Sequence, residues 1–407
     1  MHYLILPFSL GFITVSNFSL NPATEGSFRL LDIVILTFST VVVLRVLLTK
    51  MPIKPLVITF IIGAYLLTWM LYSYSIEDDR GIITTGRMLA GLLTSLLLVT
   101  YWRNTDVWVK PFLTGLSFGG ISITIIAIGQ HLNLGEIFHA LKPSSAQVWW
   151  VLGETRETSI YSHPNGFSHH AMIGSIAALS CININNQRQN VIHNTFYLLI
   201  FLFITLGVYY TAETRSVLLI AALAITQLYF NQKRTIGTLL IGLLGFFVLL
   251  LSPIYIENIL GERWFAETNS GLAIIDNIQG RLNTTLSTLG YIIVQPLGYG
   301  IAERTNILIQ EFGIIASHNS ILSIGMSFGL FLSVTIIIGY YYSFKTLIKN
   351  KSDITKLNYL LVSTLISLLM EDIIYSSTMA LVIPLLIYAG SFLPIQSKYY
   401  KSISNNV

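Results

Sequence analysis

Apolar stretches of about twenty residues, the length that crosses a bilayer as a helix, recur from one end of this 407-residue chain to the other. Nothing constrains the fold more. Charges gather at the ends of the stretches and in the segments between them. Charged residues make up 10% of the chain and hydrophobic residues 53%, against roughly 25% charged in an ordinary soluble domain. So few charges cannot cover the surface of a water-soluble protein of this size. The reading is an all-α polytopic membrane protein built as one integral-membrane domain over residues 1–407, and soluble enzyme folds are excluded for most of the chain.

Twelve spans fit the hydropathy, at about 3–20, 31–48, 55–74, 84–102, 107–129, 166–183, 194–211, 215–231, 235–256, 319–343, 357–375 and 377–395. The first has no basic residues before it and no small-residue cleavage site, so it reads as a retained helix rather than a signal peptide. An even number of spans puts both termini on one side. Assigning that side to the cytoplasm collects Arg45, Lys50, Lys54, Arg103, Lys110, Arg188, Lys233, Arg234, Lys345, Lys349, Lys351, Lys356, Lys398 and Lys401 there, with only Asp106 and Asp353 among the acids. The other side keeps nine of the 23 cations and seventeen of the 19 acids. The positive-inside rule then gives N-in, C-in.

Two connections are too long for tight turns, 130–165 and 257–318, and both fall on the outer side, where function is expected. The second carries an apolar stretch from Leu286 to Val294, expected to form amphipathic helices along the membrane surface. Its glycines, Gly261, Gly271, Gly280, Gly298, Gly300 and Gly313, offer hinges for closure over a bound ligand.

The outer cations are Arg29, Arg80, Arg87, Lys142, Arg156, Arg215, Arg263, Arg281 and Arg304. Eight of these nine are arginine, against four of fourteen on the inner side. Lysine suffices for anchoring at anionic headgroups. Guanidinium adds a planar fork that grips phosphate or carboxylate twice and stays charged when desolvated, so the bias points to a phosphorylated ligand outside. The plain alternative is that these arginines pair with the outer acids. Arg215 opens span eight; Arg281, after Gly280, is read at the start of an amphipathic helix, where backbone N–H groups also attract anions.

His318, at the outer end of span ten, is a candidate base for a sugar hydroxyl, with a helix-capping histidine as the bland reading. His163 and Asn165 begin span six with His169 and His170, which are adjacent and diverge by about 100° on a helix, so they do not chelate as a pair. No metal site is expected. The single cysteine, Cys181, excludes an intrachain disulfide and a cysteine metal cluster. A net charge of +4 is too small and too dispersed for nucleic acid.

His318-Asn319, followed by Gly329 in Ser327-Phe328-Gly329-Leu330-Phe331, resembles the His-Asn…Gly signature of the O-antigen ligase and Wzy-type O-antigen polymerase superfamily. Thr214-Arg215-Ser216, Gly280-Arg281-Leu282 and Pro296-Leu297-Gly298-Tyr299-Gly300 extend the resemblance over roughly 160–345. Residues 1–150 match only as generic spans. The third position after Gly329 is Leu332, where ligases often carry a small or hydroxylated residue.

The resemblance implies a bacterial inner-membrane glycosyltransferase of the GT-C type, with its active site on the periplasmic side and no metal or cofactor. Its partners would be undecaprenyl-pyrophosphate-linked saccharides as donor and acceptor, membrane lipid, and a chain-length regulator. Carried over, Arg215 and Arg281 hold the pyrophosphate and His318 acts on the acceptor hydroxyl, while Arg304, Asn319, His163, Asn165 and Arg263 are candidate substrate contacts. Polymerase is favoured over ligase by Leu332 and by the lack of any feature assignable to core binding. A flippase or transporter is the reading outside the family; it predicts ionisable groups at mid-membrane. Here they gather at span ends, with Glu371 and Asp372 near the end of span eleven.

Overall fold

In the computed structural model, the described residues are 2–19, 29–48, 53–101, 105–143, 149–151, 154–182, 191–212, 267–268, 271–312, 319–349, 357–370 and 376–404. Helices dominate them. They are α1 His2–Val15, α2 Leu30–Leu48, α3 Ile53–Ser75, α4 Asp79–Tyr101, α5 Thr105–His131, α6 Glu136–Ala140, α7 Pro164–Cys181 and α8 Val191–Ala212. After these come α9 Ala273–Val294, α10 Ile301–Phe312, α11 Ser320–Phe328, α12 Leu330–Lys349, α13 Leu357–Met370 and α14 Ser377–Ser404. Two short antiparallel pairs interrupt them: Trp149–Val151 with Glu154–Arg156, and Glu267–Thr268 with Gly271–Leu272.

Among the described residues, four helical stretches are long and apolar enough to cross a membrane: Ile53–Ser75, Asp79–Thr100, Trp108–His131 and Ile192–Ala212. Shorter apolar helices cover 5–15, 30–44, 282–294, 359–369 and 377–390. The spans read at 215–231 and 235–256 lie outside the described residues. Span ten is not one helix. It breaks at Gly329 into α11 and α12, a break hydropathy cannot register because the glycine lies within an unbroken apolar run.

Small residues let the helices approach. Gly11 on α1 faces the backbone of Phe112 and Leu116, and Gly115 and Gly119 on α5 face the backbone of Phe8 and Phe12. Gly120 and Gly174 meet in the same way between α5 and α7. Such small-residue seams are how helices associate where no water remains to drive them together. Outward faces are apolar instead of charged: Phe60 on α3 is 75% exposed, and Ile61, Leu67 and Leu71 accompany it.

Helix ends assigned to the outer side by the charge bias meet one another. Thr378 Oγ1 donates to Thr14 O (2.7 Å), Tyr161 OH to Val15 O (2.6 Å) and Glu157 N to Thr211 O (2.8 Å). At the opposite ends Thr114 bonds Tyr197 (2.8 Å) and Thr59 bonds Tyr388 (2.5 Å), two hydroxyl pairs in apolar surroundings.

Candidate functional site

The segment after α9 folds back on the broken span through two glycines. Gly298 and Gly329 both have positive φ, 97° and 86°, a region that glycine enters without a Cβ penalty. A Cβ at Gly298 would lie 2.6 Å from Gly329 N, and one at Gly329 would lie 2.5 Å from Leu297 O. Three backbone hydrogen bonds fasten the crossing: Leu330 N to Pro296 O (2.8 Å), Tyr299 N to Met326 O (2.8 Å) and Gly300 N to Ser327 O (2.9 Å). The last two satisfy carbonyls at the end of α11 that its own ladder leaves open, and the first an N–H at the start of α12. From α3, Tyr65 OH donates to Phe328 O (2.5 Å) and the Trp69 ring meets Phe328 edge-on. Gly298 N also donates to Gln295 O (3.0 Å), so Gly298 and Gly300, two of the glycines that the sequence offers as hinges, are both tied at their backbone N–H groups.

This joint sets the two helices that bear candidate residues. Arg304 lies one turn into α10 and is only 4% exposed. The start of α10 rests on α4 through Asp78, whose carboxylate accepts from Ala302 N (3.2 Å) and from Gly81 N (3.0 Å). One anion thereby serves two helix N-termini. Asn319 is the N-cap of α11: its side-chain oxygen accepts from Leu322 N at 3.1 Å. The capping position that a bland reading gives His318 is therefore held by its neighbour.

Arg215, Arg263 and His318 lie outside the described residues. Arg281 is described only in its backbone, which corrects one expectation: α9 begins at Ala273, so Gly280-Arg281 falls in the helix interior rather than at a helix start. The sequence hid this because Asp276, Asn277, Gln279 and Gly280 look like loop. Downstream, Leu282, Leu286, Leu289 and Ile293 form an exposed apolar face of α9, while Thr284 and Thr288 turn inward and are buried.

His163 and Asn165 are brought together with Arg156. His163 caps α7, its Nδ1 accepting from Asn165 N (3.0 Å), and Asn165 Oδ1 accepts from Arg156 Nη2 (3.0 Å). Arg156 also donates to Ala212 O (2.6 Å), at the end of α8 just before Arg215 in the chain. Of the neighbouring histidines, His170 is held at Nε2 by Ser376 (3.0 Å) and stacks on Tyr161.

Sequence reasoning missed a buried polar cluster where α2, α4, α7 and α14 converge. Asp32, 1% exposed, takes both forks of Arg87 (3.0 and 2.8 Å), the Ser377 hydroxyl (2.5 Å) and Arg29 N (2.9 Å). For Arg87 the plain ion-pair alternative holds, as it does for Lys142 with Glu157. Asp32→Ala strands Arg87 with 17% of its side chain exposed and should cost about 3 kcal/mol or more. Reversible unfolding in detergent measures this; wild-type stability in the variant would contradict it.

Among the described residues no group of three or more His, Cys, Asp or Glu side chains is gathered as a metal would require. No protein-family model matches the sequence, and no curated protein matches it.

Proposed function

We propose that the chain is a multi-pass bacterial inner-membrane protein of twelve spans, N-in and C-in, that polymerises O-antigen. It joins undecaprenyl-pyrophosphate-linked oligosaccharide repeats at the periplasmic face. The observation that carries this reading is the Gly298–Gly329 joint: two separate fragments of the resembling motif, 296–300 and 327–331, interlock backbone to backbone around glycines that tolerate no side chain. The meeting of helix ends according to the charge-derived sides supports the alternation of the spans.

In the proposed reaction the acceptor hydroxyl attacks the anomeric carbon from the face opposite the pyrophosphate, inverting the configuration. His318 takes the hydroxyl proton as the C–O bond forms. The bond to pyrophosphate breaks with its electron pair, and charge grows on the leaving group. Arg215 and Arg281 stabilise that growth, since a fixed guanidinium acts most strongly on charge that develops in the transition state. Arg304, Arg263, Asn319, His163 and Asn165 would line the path of the saccharides, with Arg304 and Asn319 set by the joint. Transfer to lipid A-core, the ligase reaction, uses the same chemistry with another acceptor; the buried Leu332 favours polymerase.

Lysine should not replace either arginine if both grip pyrophosphate as forks. Arg215→Lys and Arg281→Lys should each lose transition-state stabilisation on the order of 1.5–3 kcal/mol, the range for a charge-assisted bond. In vitro transfer with purified protein and lipid-linked repeats reads this directly. Full activity in both lysine variants would remove the pyrophosphate assignment.

A further inference from the structure

Arg29 differs from Arg87 and Lys142, the outer cations paired with carboxylates among the described residues. It precedes α2 by one residue, in the cluster built on Asp32, yet Asp32 does not neutralise its side chain. All four acceptor positions of that carboxylate are filled, two by Arg87, one by Ser377 and one by the backbone N–H of Arg29 itself. No carboxylate among the described residues lies within ion-pair distance of the Arg29 guanidinium. Its contacts are a long hydrogen bond from Nη1 to Asn17 O (3.4 Å) and the face of the Tyr161 ring, 5.3 Å from the centroid.

Among the described residues the charges of the cluster sum to an excess of one: Arg29 and Arg87 against Asp32. Burial pushes Arg29 below its ordinary value and Tyr161 above its own, so phenolate does not supply the missing anion. Removing a cation from water without a counter-charge is costly, and Arg29 has donors to spare for a bidentate acceptor. The guanidinium lies over the Tyr161 ring.

We propose that Arg29, seated on Tyr161 beside the saturated Arg87–Asp32 pair, is the cation of a second phosphate-binding site, and that it takes the phosphate of a lipid-linked ligand. The lipid follows from what lies next along the chain. Arg29 sits at the head of α2, whose Ile33, Leu36, Val43 and Leu44 are exposed apolar residues, so a phosphate held at the arginine leads its chain onto an apolar helix face. The site is separate from α10 and Arg304. Both rest on α4, but Asp78 and Arg87 are nine residues apart, about 13 Å along the helix. Under the polymerase reading, on which this assignment of the ligand rests, two lipid-linked substrates are bound at once and each brings a pyrophosphate. Arg29 would then hold the one that is not cleaved.

The test is binding rather than turnover, with full-length protein in nanodiscs of neutral phosphatidylcholine and undecaprenyl pyrophosphate without a glycan as the probe. Wild type should bind two equivalents. Arg29→Gln should bind one, and Arg29→Lys, which keeps the charge but not the fork, should hold the second equivalent about tenfold or more weakly. Gly290→Ala, on α9 with nothing within 4 Å of the added Cβ, should still bind two. Inorganic pyrophosphate should compete poorly, since it lacks the chain that lies on α2; equal competition would overturn the lipid assignment. Unchanged stoichiometry and affinity in a folded Arg29→Lys or Arg29→Gln protein would overturn the site. Either failure would leave transfer by Arg215, Arg281 and His318 standing, because that reading is scored by product formation.

Discussion

His318→Ala should abolish glycosyl transfer while leaving the protein inserted, folded and able to bind donor lipid. Magnitudes separate this outcome from the capping alternative. A lost general base lowers the rate by about 10²–10⁴-fold, whereas a lost helix cap costs roughly 1 kcal/mol of stability and leaves chemistry nearly intact. The cap of α11 is already supplied by Asn319, through its bond from Leu322 N, so the histidine one residue earlier is not needed for it. Initial rates with purified protein and lipid-linked repeats, beside thermal unfolding of the same sample, read both quantities. Activity within a few-fold of wild type would return His318 to a structural role.

The second large effect belongs to the joint. Gly329→Val should eliminate transfer and lower the unfolding temperature, because two costs fall on one position. Its φ of 86° is a left-handed conformation that costs a side-chain-bearing residue about 1–2 kcal/mol, and more if β-branched. The new Cβ would also stand 2.5 Å from Leu297 O, a backbone atom that no rotamer change can move aside. Relief requires separating the strand of chain at 296–300 from α11, which breaks the bonds from Leu330, Tyr299 and Gly300 and releases α10 with Arg304. Gly290→Ala is the control: nothing lies within 4 Å of its added Cβ, so it should be neutral or slightly stabilising in a helix. Equal behaviour of the two variants would mean that the joint carries neither stability nor activity.

Hydropathy was sufficient for the existence of most helices, since an apolar run near twenty residues has few other fates. It failed at Gly329, where the chain turns without becoming polar, and at Ala273–Gly280, where a helix forms with polar residues in it. The glycines at 298 and 329 were legible as motif residues, but not that each exists to admit the other's backbone. Among site residues, Arg304 and Asn319 stood out by position, while the capping duties of Asn319 and His163 depend on where a helix begins to within one residue. The Arg29–Asp32–Arg87 cluster was illegible for a different reason. Asp32 and Arg87 are 55 residues apart in sequence, and which arginine a lone acid neutralises is settled only by packing.

The most direct test of the central claim is the lipopolysaccharide pattern of a strain lacking this protein, complemented with wild type or with His318→Ala. Loss of the O-antigen ladder with a single repeat kept on the lipid A-core, restored by wild type and not by His318→Ala, is the predicted result. An intact ladder in the deletion strain would contradict it, and bare core without even one repeat would point to the ligase reaction instead.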